Sequence, residues 1–402
     1  MCGITGLFRL NASSTLSDII KKMNATLTHR GPDDHGVWTN EPGIALGHTR
    51  LAIQDLSHDG HQPMDSACGR YVIVFNGEVY NFEEIRKALT QTRFRGHSDT
   101  EVVLCAIAEF GLAEALRKFN GMFALALWDK HEKTLSLARD RVGKKPLYFG
   151  RNSGYFCFSS ELKALKAIPD FTPELDMQAL GQYMRFNYIP APYSIYKGIY
   201  KLEPGSFITL GVDGLNNQSD LLDQCQKYWS ALDVAAHNFN HPFEGSLGDA
   251  QLHLTGLLED STRLRMISDV PFGVLLSGGV DSSIVAAMMQ KQSSRPVNSF
   301  SIGFSNSDKD EAHIAKDIAG YLGTSHNELY VSGQDALDLV PDIAQYYDEP
   351  FADSSQIPTF IVSKLARGKV TVALSGDGGD ELFYGYNRYF RNVKNWQTSQ
   401  KI

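Results

Sequence analysis

Cys2 stands directly behind the initiator methionine. A small residue at that place permits removal of Met1, which leaves Cys2 as the N-terminus. A free α-amine titrates at ~7.7–8.0, close enough to neutrality to serve as a general base, so nucleophile and base then sit on one residue. A lone cysteine is equally a small buried hydrophobe, so the neighbouring blocks decide. The chain opens Met1-Cys2-Gly3-Ile4-Thr5-Gly6, whose glycines let the backbone turn tightly around the terminus. There follow His29-Arg30-Gly31-Pro32-Asp33-Asp34, His48-Thr49-Arg50-Leu51-Ala52-Ile53, Phe75-Asn76-Gly77-Glu78 and His97-Ser98-Asp99-Thr100-Glu101. A pocket for an amino acid with a side-chain amide, such as glutamine, needs a carboxylate for the α-ammonium and a guanidinium for the α-carboxylate. It also needs donors for a tetrahedral oxyanion. Asp99 and Arg50 can supply the first two, and the Asn76 side chain with the Gly77 backbone N–H the third. Taken singly, Arg50 and Asp99 read as surface ion-pair residues and Asn76-Gly77 as a hairpin turn.

A second chemistry lies in the C-terminal half. Leu276-Ser277-Gly278-Gly279-Val280-Asp281-Ser282-Ser283 falls between an apolar run and a helical pattern. Glycines let backbone N–H groups approach phosphate oxygens, serine hydroxyls add donors, and a helix N-terminus favours the anion. The Gly-Lys-Ser/Thr ending of a Walker A loop is missing. The block resembles the pyrophosphate loop of ATP pyrophosphatases, which cleave ATP between its α and β phosphates and adenylate a carboxylate. Leu374-Ser375-Gly376-Asp377-Gly378-Gly379-Asp380-Glu381 follows a further apolar strand. Ligands gather at the carboxyl ends of a parallel sheet. Mg²⁺ uses one or two carboxylates together with phosphates, which makes Asp281 and Asp380 the natural pair. The bland reading is a solvated acidic loop.

The elements that must position these residues fall into two kinds. Residues 70–75, 122–128 and 155–159 are apolar and aromatic runs bounded by turn residues, with helical segments at 16–27, 82–89 and 100–110 between them. Strands and helices interleave there without a βαβ rhythm, so an α+β sandwich is expected. Residues 211–245 read as loop and linker, with Gly211-Val212-Asp213-Gly214 as a hairpin turn. Beyond them the pattern is strand 270–276, loop 277–283, helix 284–292, strand 297–304, helix 311–322 and strand 369–374. That alternation predicts an α/β doubly wound parallel sheet.

The N-terminal blocks strongly resemble the class II glutamine amidotransferase domain, an N-terminal-nucleophile (αββα) fold, over roughly residues 2–205. The resemblance includes Ala138-Arg139-Asp140-Arg141-Val142-Gly143, Lys145-Pro146-Leu147-Tyr148 and Ser159-Ser160-Glu161-Leu162-Lys163. It implies Cys2 as nucleophile and Arg50, Leu51, Ile53, Asn76, Gly77, Glu78 and Asp99 as the lining of the glutamine pocket. Both halves together, with Arg263-Leu264-Arg265 and Ser268-Asp269-Val270-Pro271, resemble the glutamine-hydrolysing asparagine synthetases. That resemblance implies domains at 1–210 and 246–402 and a nucleotide contacted by Leu275, Ile302, Ser375 and Gly376 as well as by the 277–283 loop. It implies aspartate as acceptor through a β-aspartyl-AMP intermediate, Mg²⁺ as cofactor, a homodimer, and an internal ammonia passage. Asp377 stands where the family carries an acidic residue, often Glu, near the acyl-adenylate. The family runs on past the position of Ile402 through a helical segment with a pyrophosphate-binding lysine, so the expectation is a chain truncated at its C-terminus.

Composition sets the bounds. Of 402 residues, 43% are hydrophobic and 21% charged, the balance of a soluble globular chain. A net charge of −8 argues against nucleic acid as the main partner. The apolar stretches are too short or interrupted for a membrane span, and no signal peptide is visible. Five scattered cysteines without a CxxC pair fit neither a disulfide framework nor a zinc site, and point to a reducing cytoplasm. Three alternatives stay open. One is an acceptor other than aspartate, a sugar or peptide carboxylate, read at Tyr347-Asp348-Glu349-Pro350-Phe351-Ala352-Asp353-Ser354-Ser355. The second is a chain retaining only glutaminase activity, and the third a catalytically silent nitrogen sensor.

Overall fold

The computed structural model describes residues 1–10, 13–40, 43–91, 93–216, 220–304 and 311–400. Two compact units emerge: Met1–Glu244 with Ala344–Asp353, and Gly245–Ile343 with Ser354–Ile402.

The first unit holds two six-stranded antiparallel sheets. Its strands are β1 (Gly3–Phe8), β2 (Asp34–Asn40), β3 (Ile44–Arg50), β4 (Met64–Asp65), β5 (Tyr71–Val79), β6 (Gly121–Asp129), β7 (Thr134–Arg139), β8 (Tyr148–Asn152), β9 (Tyr155–Ser159), β10 (Ile199–Lys201), β11 (Ser206–Gly211) and β12 (Gln226–Lys227). One sheet runs β10-β8-β9-β1-β3-β2 and the other β12-β11-β7-β6-β5-β4. Side chains alternate across a strand, and here both faces are covered. Ile4, Phe8, Ile44 and Leu46 of the first sheet share one buried cluster with Val72, Val74, Ala126 and Leu137 of the second. The opposite face of the first sheet, with Leu7, Ala45 and Cys157, packs with Leu16, Ile20 and Met23 of the helix Ser13–Ala25. The helix Asp99–Phe110 lies against β5 on the second sheet. This is the expected αββα sandwich.

Of the stretch read as a linker, 211–245, the described residues up to Glu244 are counted with this unit. Val212–Asn216 forms a short helix where a hairpin turn was expected, and Ala231–Asn240 forms another. Leu215 and Leu221 are the cause: both are buried in the intersheet core, which outweighs the turn-forming glycines beside them.

The second unit carries four parallel strands, β13 (Phe272–Leu275), β14 (Asn298–Phe304), β15 (Ser325–Val331) and β16 (Val372–Leu374), in the order β15-β14-β13-β16. Val274, Ala286, Met289, Ala315 and Ala319 join the helices Val280–Gln292 and Ala312–Leu322 to one face. Phe300, Ala366 and Val370 join the helix Gln356–Arg367 to the other. Both faces are covered, as an all-parallel sheet requires, and the doubly wound expectation holds. The chain steps from β13 to β14 on one side and comes back to β16 on the other. The switch point therefore lies at β13, where ligands settle outside the strand ends. Strand β15, with polar Ser325, His326 and Asn327, gave no apolar signal to read. The helix expected from residue 284 begins at Val280, so Asp281, Ser282 and Ser283 stand in its first turn rather than in a loop. Among the described residues no helix is long and apolar enough to cross a membrane.

Candidate active sites

The backbone of Cys2 leads into β1, which lies between β3 and β9, so its position is held from both sides. The Leu51 N–H donates to the Cys2 Sγ at 3.4 Å, and the Arg30 Nε donates to the Cys2 carbonyl at 2.9 Å. Burial pushes the Cys2 thiol above its ordinary value, opposed by the positive N-terminus, the Leu51 hydrogen bond, Lys145 and Arg50. Lys145 is itself brought down to about 8 by burial, with Glu78 favouring its charge. The loop carrying Lys145 is gathered by the fully buried Asp140, whose carboxylate accepts from the backbone N–H groups of Phe123, Val142, Lys144 and Lys145.

Arg50 closes β3 and is buried. Its guanidinium donates to the carbonyls of Gln54, Asp55 and Ser57, and so shapes the 51–57 loop that also presents Leu51 and the half-buried Ile53. Gly60 must lack a side chain here, because an ideal Cβ would lie 1.9 Å from an Arg50 nitrogen.

Asn76, Gly77 and Glu78 lie consecutively near the end of β5. Asn76 is 1% exposed, yet neither its Nδ2 nor its Oδ1 has a hydrogen-bond partner. A buried amide left unpaired costs stability, and its donor is available to a bound group. The Ser98 hydroxyl is buried and unpartnered as well. Its neighbour Asp99 opens the helix Asp99–Phe110 and accepts from the Val79 N–H at 2.8 Å, which ties it to the end of β5. Burial raises the Asp99 carboxyl to about 6. His48 is brought down to about 3 by burial and is therefore neutral; its Nε2 meets the Phe75 carbonyl at 3.1 Å and links β3 to β5.

Thus Cys2, Leu51 and Arg50 come together on the first sheet and its loop. Asn76, Gly77, Glu78 and Asp99 gather at one end of β5. The charge of Lys145 acts on Cys2, and that of Glu78 on Lys145. Sequence reasoning assigned no role to Arg30, His48, Lys145 or Glu161, although all lie in blocks quoted above.

In the second unit the loop after β13 is closed by its own hydroxyls. Ser277 Oγ meets Ser282 Oγ at 3.0 Å, and Ser283 Oγ donates to the Gly279 carbonyl at 2.6 Å. Gly278 has φ +82°, a conformation side chains rarely adopt. The loop after the adjacent strand β16 meets it at Asp281. An ideal Cβ at Gly376 would lie 2.6 Å from the Ser282 nitrogen, and one at Gly379 2.3 Å from an Asp281 carboxylate oxygen. Ser375 Oγ donates to the exposed Asp377 at 2.9 Å. Leu275 ends β13 and Ile302 lies in β14; both are half-buried. The Asp380 carboxylate packs at Gly385, where an ideal Cβ would lie 1.9 Å from it. Among the described residues no group of three or more His, Cys, Asp or Glu side chains is placed to hold a metal. The donors expected for Mg²⁺ are two carboxylates, one of them in a glycine cradle, which suits a hard ion that draws its other ligands from phosphate and water.

Two family models match the chain: a glutamine amidotransferase domain over residues 1–229 and asparagine synthase over residues 253–402. A putative glutamine-hydrolysing asparagine synthetase 2 of Methanocaldococcus jannaschii is 37% identical, over 98% of this chain and 77% of that protein. The glutamine-hydrolysing asparagine synthetase 1 of Bacillus subtilis is 36% identical, over 97% of this chain and 59% of that one. Asparagine synthetase B of Escherichia coli is 30% identical, over 98% and 66%. The chain thus spans between about three-fifths and three-quarters of the length of these relatives. It belongs to the family of glutamine-hydrolysing asparagine synthetases.

Proposed function

We propose that the chain converts ATP, L-aspartate, L-glutamine and water to AMP, diphosphate, L-asparagine and L-glutamate. The observation that carries the glutaminase half is the unpartnered, buried Asn76 amide in the unit that holds the Cys2 thiol. With Met1 removed, the Cys2 α-amine takes the thiol proton as Sγ attacks the glutamine carboxamide. The Asn76 Nδ2 and the Gly77 N–H receive the oxyanion. The C–N bond breaks, ammonia leaves with the returned proton, and water hydrolyses the thioester. Asp99 receives the substrate ammonium and Arg50 its carboxylate, while Leu51, Ile53 and Glu78 line the pocket.

The second half is supported by two glycine-rich loops that meet at Asp281 at the sheet's switch point. The Ser277–Ser282 segment, with Leu275, Ile302, Ser375 and Gly376, holds the nucleotide. The β-carboxylate of aspartate attacks the α-phosphorus, diphosphate leaves, and ammonia displaces AMP from β-aspartyl-AMP beside Asp377. Asp281 and Asp380 would hold Mg²⁺ with the phosphates, and the ion would supply charge neutralisation there. All five cysteines are free thiols, in keeping with a cytoplasmic setting.

The test follows glutamate, asparagine and diphosphate together on the purified chain with glutamine, aspartate and ATP·Mg²⁺. All three rising in step is the expected result. Glutamate without diphosphate would overturn the synthetase half for this chain, and no glutamate would overturn the whole reading.

A further inference from the structure

Ten residues, Ala344–Asp353, lie in the sequence between two helical stretches of the parallel-sheet unit, yet pack as part of the Cys2 unit. The packing is specific. Glu349 is 10% exposed in its side chain and pairs with Lys201 at 2.5 Å; its carboxylate also accepts from the Tyr148 hydroxyl at 3.1 Å and the Ile195 N–H at 2.7 Å. The Ala352 N–H donates to the Asn187 carbonyl at 2.8 Å. Asp348 accepts from the Lys163 N–H at 3.1 Å and lies 3.6 Å from the Lys163 ammonium, which also donates to the Gln345 carbonyl at 2.8 Å.

From Lys163 the contacts continue without a gap. Its ammonium lies 3.0 Å from Glu161, and Glu161 accepts from Arg30 at 2.7 Å. The Arg30 Nε then donates to the Cys2 carbonyl. Side-chain exposures along this line are 11% for Asp348, 21% for Lys163, 13% for Glu161 and 8% for Arg30, so water screens it weakly. His29 also reaches Glu161, at 3.0 Å.

We propose that the 344–353 strap positions the nucleophile: Asp348, through Lys163, Glu161 and Arg30, sets the placement of Cys2, so the glutaminase half is fully aligned only with the strap seated. Asp348 and Lys163 are positioning residues that touch neither substrate nor thiol. Residues 344–346 of the strap are the end of the helix Gly333–Tyr346, and the helix Gln356–Arg367 begins three residues after Asp353. The strap's role rests on the reading of Cys2 as a glutamine-attacking thiol.

The experiment uses the full chain and a diazoketone analogue of glutamine, with alkylation of Cys2 followed by the mass of the N-terminal peptide. Binding and inactivation constants are separated from the concentration dependence. Asp348→Asn and Lys163→Met should each slow inactivation about fivefold with binding changed less than about twofold, the pattern of lost alignment rather than lost affinity. The double variant should be little slower than either single one, since both cut one connection. Lys163→Arg, which keeps the charge, should restore most of the rate. Thermal unfolding of each variant identifies any that fails to fold, and the remaining one of the pair then carries the test with Lys163→Arg. Unchanged inactivation in the folded variants, or equal loss in binding and rate, would overturn the strap's role while leaving glutamine chemistry intact. A parent chain whose Cys2 does not react would overturn both.

Discussion

The two candidate sites are built in opposite ways. Around Cys2 the polar groups are buried and several are tied to groups distant in sequence: Asn76 and Asp99 are 1% and 5% exposed, Arg30 holds the Cys2 carbonyl and Asp99 accepts from the Val79 N–H, while Arg50 holds the carbonyls of the loop that follows it. Around Asp281 the loops are open to solvent, with Ser277, Val280 and Asp377 exposed, and their hydrogen bonds run mostly within a few residues. A site that must stabilise an oxyanion gains from donors fixed in a dry place before the substrate arrives. A site that takes a triphosphate with its cation can leave part of its order to the ligand, because the phosphates supply the charges that organise the loop.

The comparison breaks most directly at Asn76. Asn76→Ala should lower glutaminase kcat by about 10²–10³-fold. Thermal stability should hold or rise, because an unpaired buried amide has been removed. A steady-state assay beside a melting curve checks both, and a large loss of stability would mean that Asn76 serves the fold instead. Next in size is the strap's buried pair. Lys201→Met leaves the Glu349 carboxylate with only two neutral donors and should cost about 3 kcal/mol, read as a lowered urea midpoint. On the open side, Gly379→Ala drives a methyl group into the Asp281 carboxylate. Diphosphate formation should fall about tenfold with glutaminase unchanged, as expected when a group shifts by part of an ångström.

The smallest effect is one of pH. Burial holds the Asp99 carboxyl at about 6, so the free chain loses that charge as pH falls through 6. Only the ionised form pairs with a substrate ammonium. The kcat/KM for glutamine should therefore fall below pH 6, about tenfold per unit, whereas kcat at saturation should hold to lower pH because the bound ammonium favours the carboxylate. A kcat/KM flat down to pH 4 would remove Asp99 from the pocket.

Much of this was legible in the sequence because local order repeats at the level of the fold. The runs 122–128 and 155–159 fall inside β6 and β9, the run 70–75 starts one residue before β5, and the helix expected at 100–110 begins one residue earlier, at Asp99. The glycines at 376 and 379 announced a close approach, and both meet Asp281, while Gly278 lies against Glu311, Ile314 and Ala315. What stayed illegible depends on distant partners. Asp348 and Glu349 read as acceptor-pocket residues from their place in the chain, but their carboxylates are taken up by Lys163 and Lys201, some 150 to 185 residues away. Arg30 and Glu161 were given no role, since nothing local indicates that one binds the Cys2 carbonyl and the other bridges to Lys163. The 211–245 stretch misled in the opposite sense: its turn residues were plain, while the burial of Leu215 and Leu221 follows only from the sandwich they complete.

The central claim is that the two regions carry separable halves of one reaction. The measurement that tests it most directly is asparagine and diphosphate formation by the Cys2→Ala chain, with ammonia or glutamine as nitrogen source. The account predicts that ammonia supports synthesis at a rate within about twofold of the parent while glutamine supports none, because only the thiol has been removed. Loss of ammonia-dependent synthesis in a folded Cys2→Ala chain, where the parent retains it, would contradict that division.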